Sequence, residues 1–137
     1  ERWKTEVEKR TNGKVKVEEI WNSRVMKSHF ASSVLHGNYL YGFDNAIIKC
    51  IEANTGKEQW AERGFGKGSL MCADGHLIIL GERGNLALAE AIPSEYKEKA
   101  SAQVLTGRCW TVPTLAGGKL YIRNQKEMVC LDVTGQN

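Results

Sequence analysis

Three histidines, four cysteines and a scatter of basic and aromatic residues are the groups in this 137-residue chain that could do chemistry. Nucleophilic, phosphoryl-transfer and acid–base sites need a nucleophile beside a base, a phosphate cradle or paired carboxylates. No such pattern is legible. His36 and His76 stand beside turns and read as solvent-facing, while His29 stands just ahead of an apolar run in Arg24-Val-Met-Lys-Ser-His29-Phe30. Cys50, Cys72, Cys109 and Cys130 include no Cys-x-x-Cys pair and have no histidine at zinc-ligand spacing. They read as structural thiols, which pack as small hydrophobes, with disulfide or metal ligation as the alternative. The glycines of Gly64-Phe-Gly-Lys-Gly-Ser69 superficially resemble a phosphate loop. A true one lies between a strand and a helix N-terminus. Here an apolar strand follows, so close backbone approach explains them better.

The elements that must position these groups are strands. Ser33-Val-Leu-His-Gly-Asn-Tyr-Leu-Tyr-Gly-Phe43, Met71-Cys-Ala-Asp-Gly-His-Leu-Ile-Ile-Leu80 and Thr114-Leu-Ala-Gly-Gly-Lys-Leu-Tyr-Ile-Arg123 share one design: an apolar run, a Gly-containing turn, a second apolar run. Anchored on Leu40, Leu77 and Leu120, the copies are 37 and 43 residues apart. A period of about 40 residues with several strands per repeat is the pattern of a β-propeller blade. Inner strands such as Ala46–Ile51 and Leu77–Leu80 are apolar on consecutive positions, as strands covered on both faces must be. Val15–Ile20 and Ser101–Leu105 alternate and read as outer strands. Asn12-Gly13 reads as a hairpin turn joining Arg2–Glu8 to Val15–Trp21, and Asn54-Thr-Gly56-Lys as another, because each offers a residue at ease with positive φ. Pro93-Ser-Glu-Tyr-Lys-Glu-Lys99 reads as a longer loop in the same place. The fold class expected is all-β, a partial propeller of four-stranded antiparallel blades. Residues 1–137 form one region divided as partial blade 1–22, blade 29–61, blade 67–105 and partial blade 110–133. About two full and two partial blades cannot close a ring of four to eight, so the remaining blades of a larger protein, or a homo-oligomer formed through open strand edges, are expected partners.

Bulk properties exclude some functions. Nineteen basic residues against 16 acidic ones leave a net charge of +3, with the signs interspersed, so no nucleic-acid partner is expected. No run of about 18 apolar residues is present, so no membrane span is expected. The chain opens at Glu1 without a Met or signal peptide, which reads as a processed or trimmed product.

Cys50-Ile-Glu-Ala-Asn-Thr-Gly56-Lys-Glu-Gln-Trp60 resembles the tryptophan-docking motif of pyrroloquinoline-quinone-like (PQQ-like) β-propeller repeats, roughly Ala-x-Asp-x-x-Thr-Gly-x-x-x-Trp. Cys130-Leu-Asp132-Val-Thr134-Gly135 matches its first half. The stretch from Val17 to Gly135 is similar to the C-terminal blades of bacterial PQQ-like propellers, a group related to the outer-membrane β-barrel assembly lipoprotein. The resemblance implies blade-docking roles for Trp21, Gly56 and Trp60, and export past the cytoplasmic membrane of a bacterium, in the periplasm or outside. Glu52 replaces the usual Asp, and the second repeat, Leu88-Ala-Glu-Ala-Ile-Pro93, keeps no docking Trp.

In a propeller the loop entering each first strand lies at the mouth of the central channel. Equivalent offsets place His29 and Phe30 opposite Gly66 and Lys67, and opposite Cys109 and Trp110. Arg24, His29, Lys67, Arg108 and Trp110 are therefore the expected binding residues, unless these loops are merely polar. The expected function is a non-catalytic binding or scaffold module for a protein partner or ligand, with no catalytic residue, metal or cofactor. One alternative is a fragment of a quinoprotein dehydrogenase using pyrroloquinoline quinone and calcium, although such enzymes look like longer, eight-bladed chains with adjacent cysteines. The other is a propeller fragment with no independent function.

Overall fold

The computed structural model describes residues 2–135; Glu1, Gln136 and Asn137, which belong to the expected region 1–137, lie outside the described residues. A short helix, α1 (Arg2–Arg10), comes first. Eleven strands follow: β1 (Val34–His36), β2 (Tyr39–Asp44), β3 (Ile47–Glu52), β4 (Glu58–Glu62), β5 (Ser69–Ala73), β6 (His76–Leu80), β7 (Asn85–Glu90), β8 (Glu98–Gln103), β9 (Thr114–Ala116), β10 (Lys119–Arg123) and β11 (Met128–Asp132). They make three antiparallel meanders: β1–β4, β5–β8 and β9–β11. The three inner hairpins keep one register, with His36 opposite Tyr39, Ala73 opposite His76, and Ala116 opposite Lys119. The sheets are thus successive copies of one unit, two of them four-stranded and one three-stranded.

Alternation along β6 builds the core between them. Leu77 and Ile79 point to the first sheet, where they join Tyr41, Phe43, Ile48, Cys50 and Trp60 in one buried cluster. Leu80 points the other way and joins Leu120, Ile122, Leu105 and Cys109, with Ile78 packed against them. A strand used on both faces must be apolar throughout, and this is why His76–Leu80 shows no polar alternation.

The N-terminal reading needs correction. Arg2–Glu8 was expected as a strand of a hairpin and is helical instead, and Val15–Trp21 belongs to no strand. Asn12 (φ +50°) and Gly13 (φ +74°) adopt the left-handed conformation that a hairpin turn also requires, but here they cap a helix. Gly13 N donates to Glu8 O at 2.9 Å, and Asn12 N to Lys9 O at 3.2 Å. An ion pair from Arg10 Nε to Glu6 Oε1 (2.7 Å), one turn apart, favours the helix further. The strands expected of partial blade 1–22 are therefore not formed.

The cysteines also divide. Cys50 and Cys109 are fully buried, and burial pushes the Cys50 thiol up to about 11. Cys130, at the position equivalent to Cys50, is exposed, because the face of β11 that carries it meets no further sheet among the described residues. All four are free thiols. The Tyr41 hydroxyl lies against Cys50 with no nitrogen or oxygen partner among the described residues, and its pKa rises, chiefly through burial.

Two indoles tie the units together. Trp21 Nε1 donates to Ala53 O at 2.8 Å, and Trp60 Nε1 donates to Ile92 O at 2.8 Å. Each acceptor lies 32 residues beyond its tryptophan, in the turn that follows the third strand of the next unit. Trp60 packs against Tyr41 and Tyr96 with ring centroids 5.9 and 5.7 Å away. Gly56 (φ +71°) forms the floor under Trp21, since a methyl group there would stand 2.9 Å from its Cε3. Burying such a ring contributes on the order of 2–3 kcal/mol.

Trp60→Ala is expected to cost about 3–5 kcal/mol in denaturant unfolding, through the lost burial and the cavity left behind. Gly56→Ala is expected to cost at least about 1–2 kcal/mol from the left-handed φ alone, and more if Trp21 is displaced. In a timed alkylation followed by mass spectrometry, Cys130 is expected to react in the native protein, and Cys50 and Cys109 only as it unfolds.

Candidate functional site

At one end of the sheets the entering loops are held by polar clamps. In the first sheet, Asp44, at the β2–β3 turn, accepts Lys27 N at 3.1 Å on Oδ1, and Asn45 N returns a bond to Lys27 O at 2.9 Å. In the second sheet, Glu82 lies in the tight turn between β6 and β7. Its Oε2 accepts Lys67 N at 3.1 Å, and its backbone N–H donates to Phe65 O at 2.7 Å. In the third, Asn124 donates from Nδ2 to Thr106 O at 2.8 Å. One acid or amide per unit, at the turn after the second strand, fastens the loop that leads into the unit.

Glu82 does more than clamp its own loop. Its Oε1 accepts Trp110 Nε1 at 3.1 Å, and its backbone oxygen accepts Cys109 N at 2.8 Å. It therefore joins the loop before β5 to the loop before β9. Gly66 makes the approach possible, since a methyl group there would stand 2.6 Å from Glu82 Oε2. The bond from the Lys67 backbone is the main influence holding the Glu82 carboxyl below its usual range; the bond from Trp110 and the positive charges of Lys67 and Arg108 add to it, against partial burial.

On this base lies an open aromatic surface. The Arg108 guanidinium stacks on Trp110, its Cζ 4.2 Å from the ring centroid. Phe30 tilts against Trp110 at 5.2 Å, and His29 meets both edge-on, at 5.5 Å from Phe30 and 6.3 Å from Trp110. Phe30 and Trp110 each remain 38% exposed although packed together. A depression of about 360 Å³ lined by Glu82, Arg83, Gly107 and Arg108 borders the patch.

Of the five residues read from sequence as channel-mouth groups, the structure brings four into one neighbourhood. His29, Arg108 and Trp110 touch in sequence, and Lys67 joins them through Glu82. Arg24 is exposed and shares no bond or ring contact with the cluster among the described residues. The loop that carries it is fixed instead by Lys49, whose Nζ reaches Val25 O (2.9 Å), Asp44 Oδ2 (3.0 Å) and Glu58 Oε2 (2.8 Å). Glu82 and Phe30 were not singled out. The recurrence of Asp44, Glu82 and Asn124 about 40 residues apart was available as a signal, but polar residues at turns attract no notice unless the backbone they bind is known.

The patch offers stacking faces, one fixed cation and few unsatisfied acids. It can hold a planar, apolar or anionic group; it has no nucleophile poised beside a base. No three His, Cys, Asp or Glu side chains converge as metal ligands among the described residues.

No protein-family model and no curated protein matches the chain. Solved structures do. The crystal structure of BamB from Moraxella catarrhalis, a β-propeller, superposes with a TM-score of 0.63 at 17% identity over 74% of this chain and 33% of that one. The computationally designed Ika4 protein superposes with a TM-score of 0.68 at 15% identity over 88% of this chain and 76% of that one. The chain therefore spans about a third of the length of BamB. Likeness at these identities bears on fold, and the fold is β-propeller-like, built of antiparallel blade sheets without a closed ring.

The Glu82 side chain joins two loops as a carboxylate that accepts from Lys67 N and Trp110 Nε1, so ionised Glu82 stabilises the folded chain. Its folded pKa lies below the ordinary 4.5. The contribution is complete above that value and fades as pH falls through the folded pKa. Glu82→Gln is expected to melt below the wild type near neutral pH, and the gap is expected to close as pH is lowered from about 6 to about 3. Melting temperatures of both proteins across that range check this.

Proposed function

We propose that this chain is a PQQ-like β-propeller module that binds a protein partner at the loop end bearing His29, Phe30, Arg108 and Trp110, without catalysis. The observation that carries the reading is the Arg108–Trp110–Phe30 stack, kept open to solvent yet fixed from beneath by Glu82. Aromatic and arginine side chains supply most of the binding energy at protein interfaces, and rigid ones lose little entropy on binding. A surface meant only to be soluble would not gather two exposed aromatic rings, one of them stacked under a guanidinium.

The docking turns with Gly56 and Gly135 favour assignment to PQQ-like repeats. That assignment carries with it a bacterial origin and a place outside the cytoplasmic membrane. No helix among the described residues is long and apolar enough to cross a membrane. The module needs no resident cofactor under this reading; its work is done by surface complementarity.

The test uses Trp110→Ala and Arg108→Glu, each first shown by thermal melting to keep the fold. A partner captured from a bacterial extracytoplasmic fraction, then purified, is titrated against wild type and both variants by calorimetry. At least tenfold weaker binding by each variant is expected, about 1.4 kcal/mol or more. Equal affinities for all three proteins would overturn the assignment. Dye-linked alcohol oxidation after addition of pyrroloquinoline quinone and calcium would overturn its non-catalytic part.

A further inference from the structure

Folding segregates charges that the sequence intersperses. The segments that meet at the loop end are 27–33, 45–46, 63–68, 81–84, 104–113 and 124–127, between the strands. They carry six cations, Lys27, Arg63, Lys67, Arg83, Arg108 and Lys126, against two acids, Glu82 and Glu127. The strand-end residues Asp44, Glu62 and Arg123 bring the surplus to three. The whole formal net charge of +3 thus resides at this end, and the rest of the sequence is balanced. Turns at the opposite end, 37–38, 53–57, 74–75, 91–97 and 117–118, hold Lys57 and Lys97 against Asp74 and Glu95.

The cations of the loop end are also unpaired. Lys97 and Lys99 pair with Glu90 at 3.1 and 3.0 Å, and Lys119 pairs with Asp132 at 2.8 Å. Among the described residues none of the six loop-end cations makes an ion pair, and all but Lys67 are exposed. Acids at this end are engaged by backbone instead: Asp44 by Lys27 N, Glu82 by Lys67 N, and Glu62 by Arg63 N at 3.2 Å. Arg83 and Arg108 meet at the depression of about 360 Å³ beside Trp110, and Glu82, the one acid lining it, has both carboxylate oxygens occupied by N–H groups. Blade sheets pack on one another face to face, so a surface at the strand ends is not a seam that a further sheet covers.

We propose that the depression between Arg83 and Arg108 seats a carboxylate of an acidic polypeptide segment, and that an aromatic side chain beside that carboxylate lies on Trp110 and Phe30. This rests on the binding role proposed above for the same loop end and specifies the partner's chemistry. An acidic segment gains from the unpaired cations without breaking an ion pair, whereas a basic one meets uncompensated like charge. A nucleic acid also brings negative charge, but its bases need free aromatic faces. Here the Arg108 guanidinium already occupies a face of Trp110, and Phe30 and His29 pack against the same ring.

The probe is the end-blocked peptide Asp-Glu-Phe-Glu-Asp-Phe-Glu-Asp, titrated into isotope-labelled protein by NMR in about 20 mM salt. Saturable shifts of the Trp110 indole N–H and of the Arg83 and Gly107 amides are expected, with a Kd below about 1 mM. Raising the salt to about 200 mM is expected to weaken binding about fivefold or more. Peptides with Lys in place of every acid, or Ala in place of each Phe, are expected to bind about tenfold more weakly or worse. Arg83→Gln, an exposed substitution that leaves the bond from Gln103 to the Arg83 carbonyl in place, is expected to keep the melting temperature and weaken the peptide about threefold or more. No saturable binding, affinity indifferent to salt, or equal affinity of Arg83→Gln and wild type would overturn the proposal. So would a thymidine heptanucleotide, which carries as many charges, binding as tightly as the peptide; the surface would then be a general polyanion site. A natural partner that is lost by Trp110→Ala but held equally by wild type and Arg83→Gln at both salt concentrations would keep the binding role and overturn its acidic chemistry.

Discussion

Strands of sheets stacked face to face do not pair with one another through backbone hydrogen bonds, so something else must set the spacing and register of the sheets. Between the first and second sheets it is the indole ring of Trp60, laid from β4 onto the turn after β7, and Trp21 docks the strandless N-terminal segment onto the first sheet in the same way. Trp21 and Trp60 each supply burial, which is strong but indifferent to direction, and an N–H bond to a turn carbonyl, which is weaker but fixes orientation. The alternate use of β6 depends on this spacing. Leu77 and Ile79 can be fully buried on one side only because the first sheet is held at side-chain distance, and the cluster around Trp60 fills that gap.

The contrast between the two inter-sheet seams follows from the same constraint. Between the first and second sheets the tryptophan is present and the cluster runs out to the edge strand. Between the second and third it is absent, and the buried cluster stops at Leu80, Leu105, Cys109, Leu120 and Ile122. The outer part of that seam stays open, and β8 presents no buried residue. At the loop end, polar clamps replace the tryptophans. Glu82 joins two entering loops and so holds the second and third units together where apolar packing ends. The aromatic patch is a product of that clamp, because Trp110 is oriented by it.

Much of the fold was legible because its signals repeat. The Gly turns near Leu40, Leu77 and Leu120 mark inner hairpins, and unbroken apolar runs mark strands covered on both faces. The N-terminus failed because Asn12-Gly13 supplies left-handed φ, and both a hairpin turn and a helix cap use it. With no second sheet strand to pair with, Arg2–Arg10 follows its local i,i+4 charge pairing into a helix. Cys130 failed differently. Its strand pairs in the same register as that of Cys50, with Cys130 opposite Tyr121 as Cys50 is opposite Tyr41, but burial is a property of the neighbouring sheet and not of the strand. The loop-end residues were legible by position, since equivalent offsets placed His29, Lys67, Arg108 and Trp110 together. Glu82 was not, because its partners are mostly backbone groups that leave no mark in sequence.

Native-state hydrogen exchange of the indole N–H groups, resolved by NMR, tests most directly whether inter-unit docking holds the structure. The chain has four tryptophans, and Trp3 on the exposed face of α1 serves as an internal reference. If Trp21 and Trp60 carry the docking, their indole protons exchange only through unfolding and slow in step with the most protected amides of β3 and β6. If either exchanges as fast as Trp3, that ring is not seated on its turn, and the sheets are held by something other than their tryptophans.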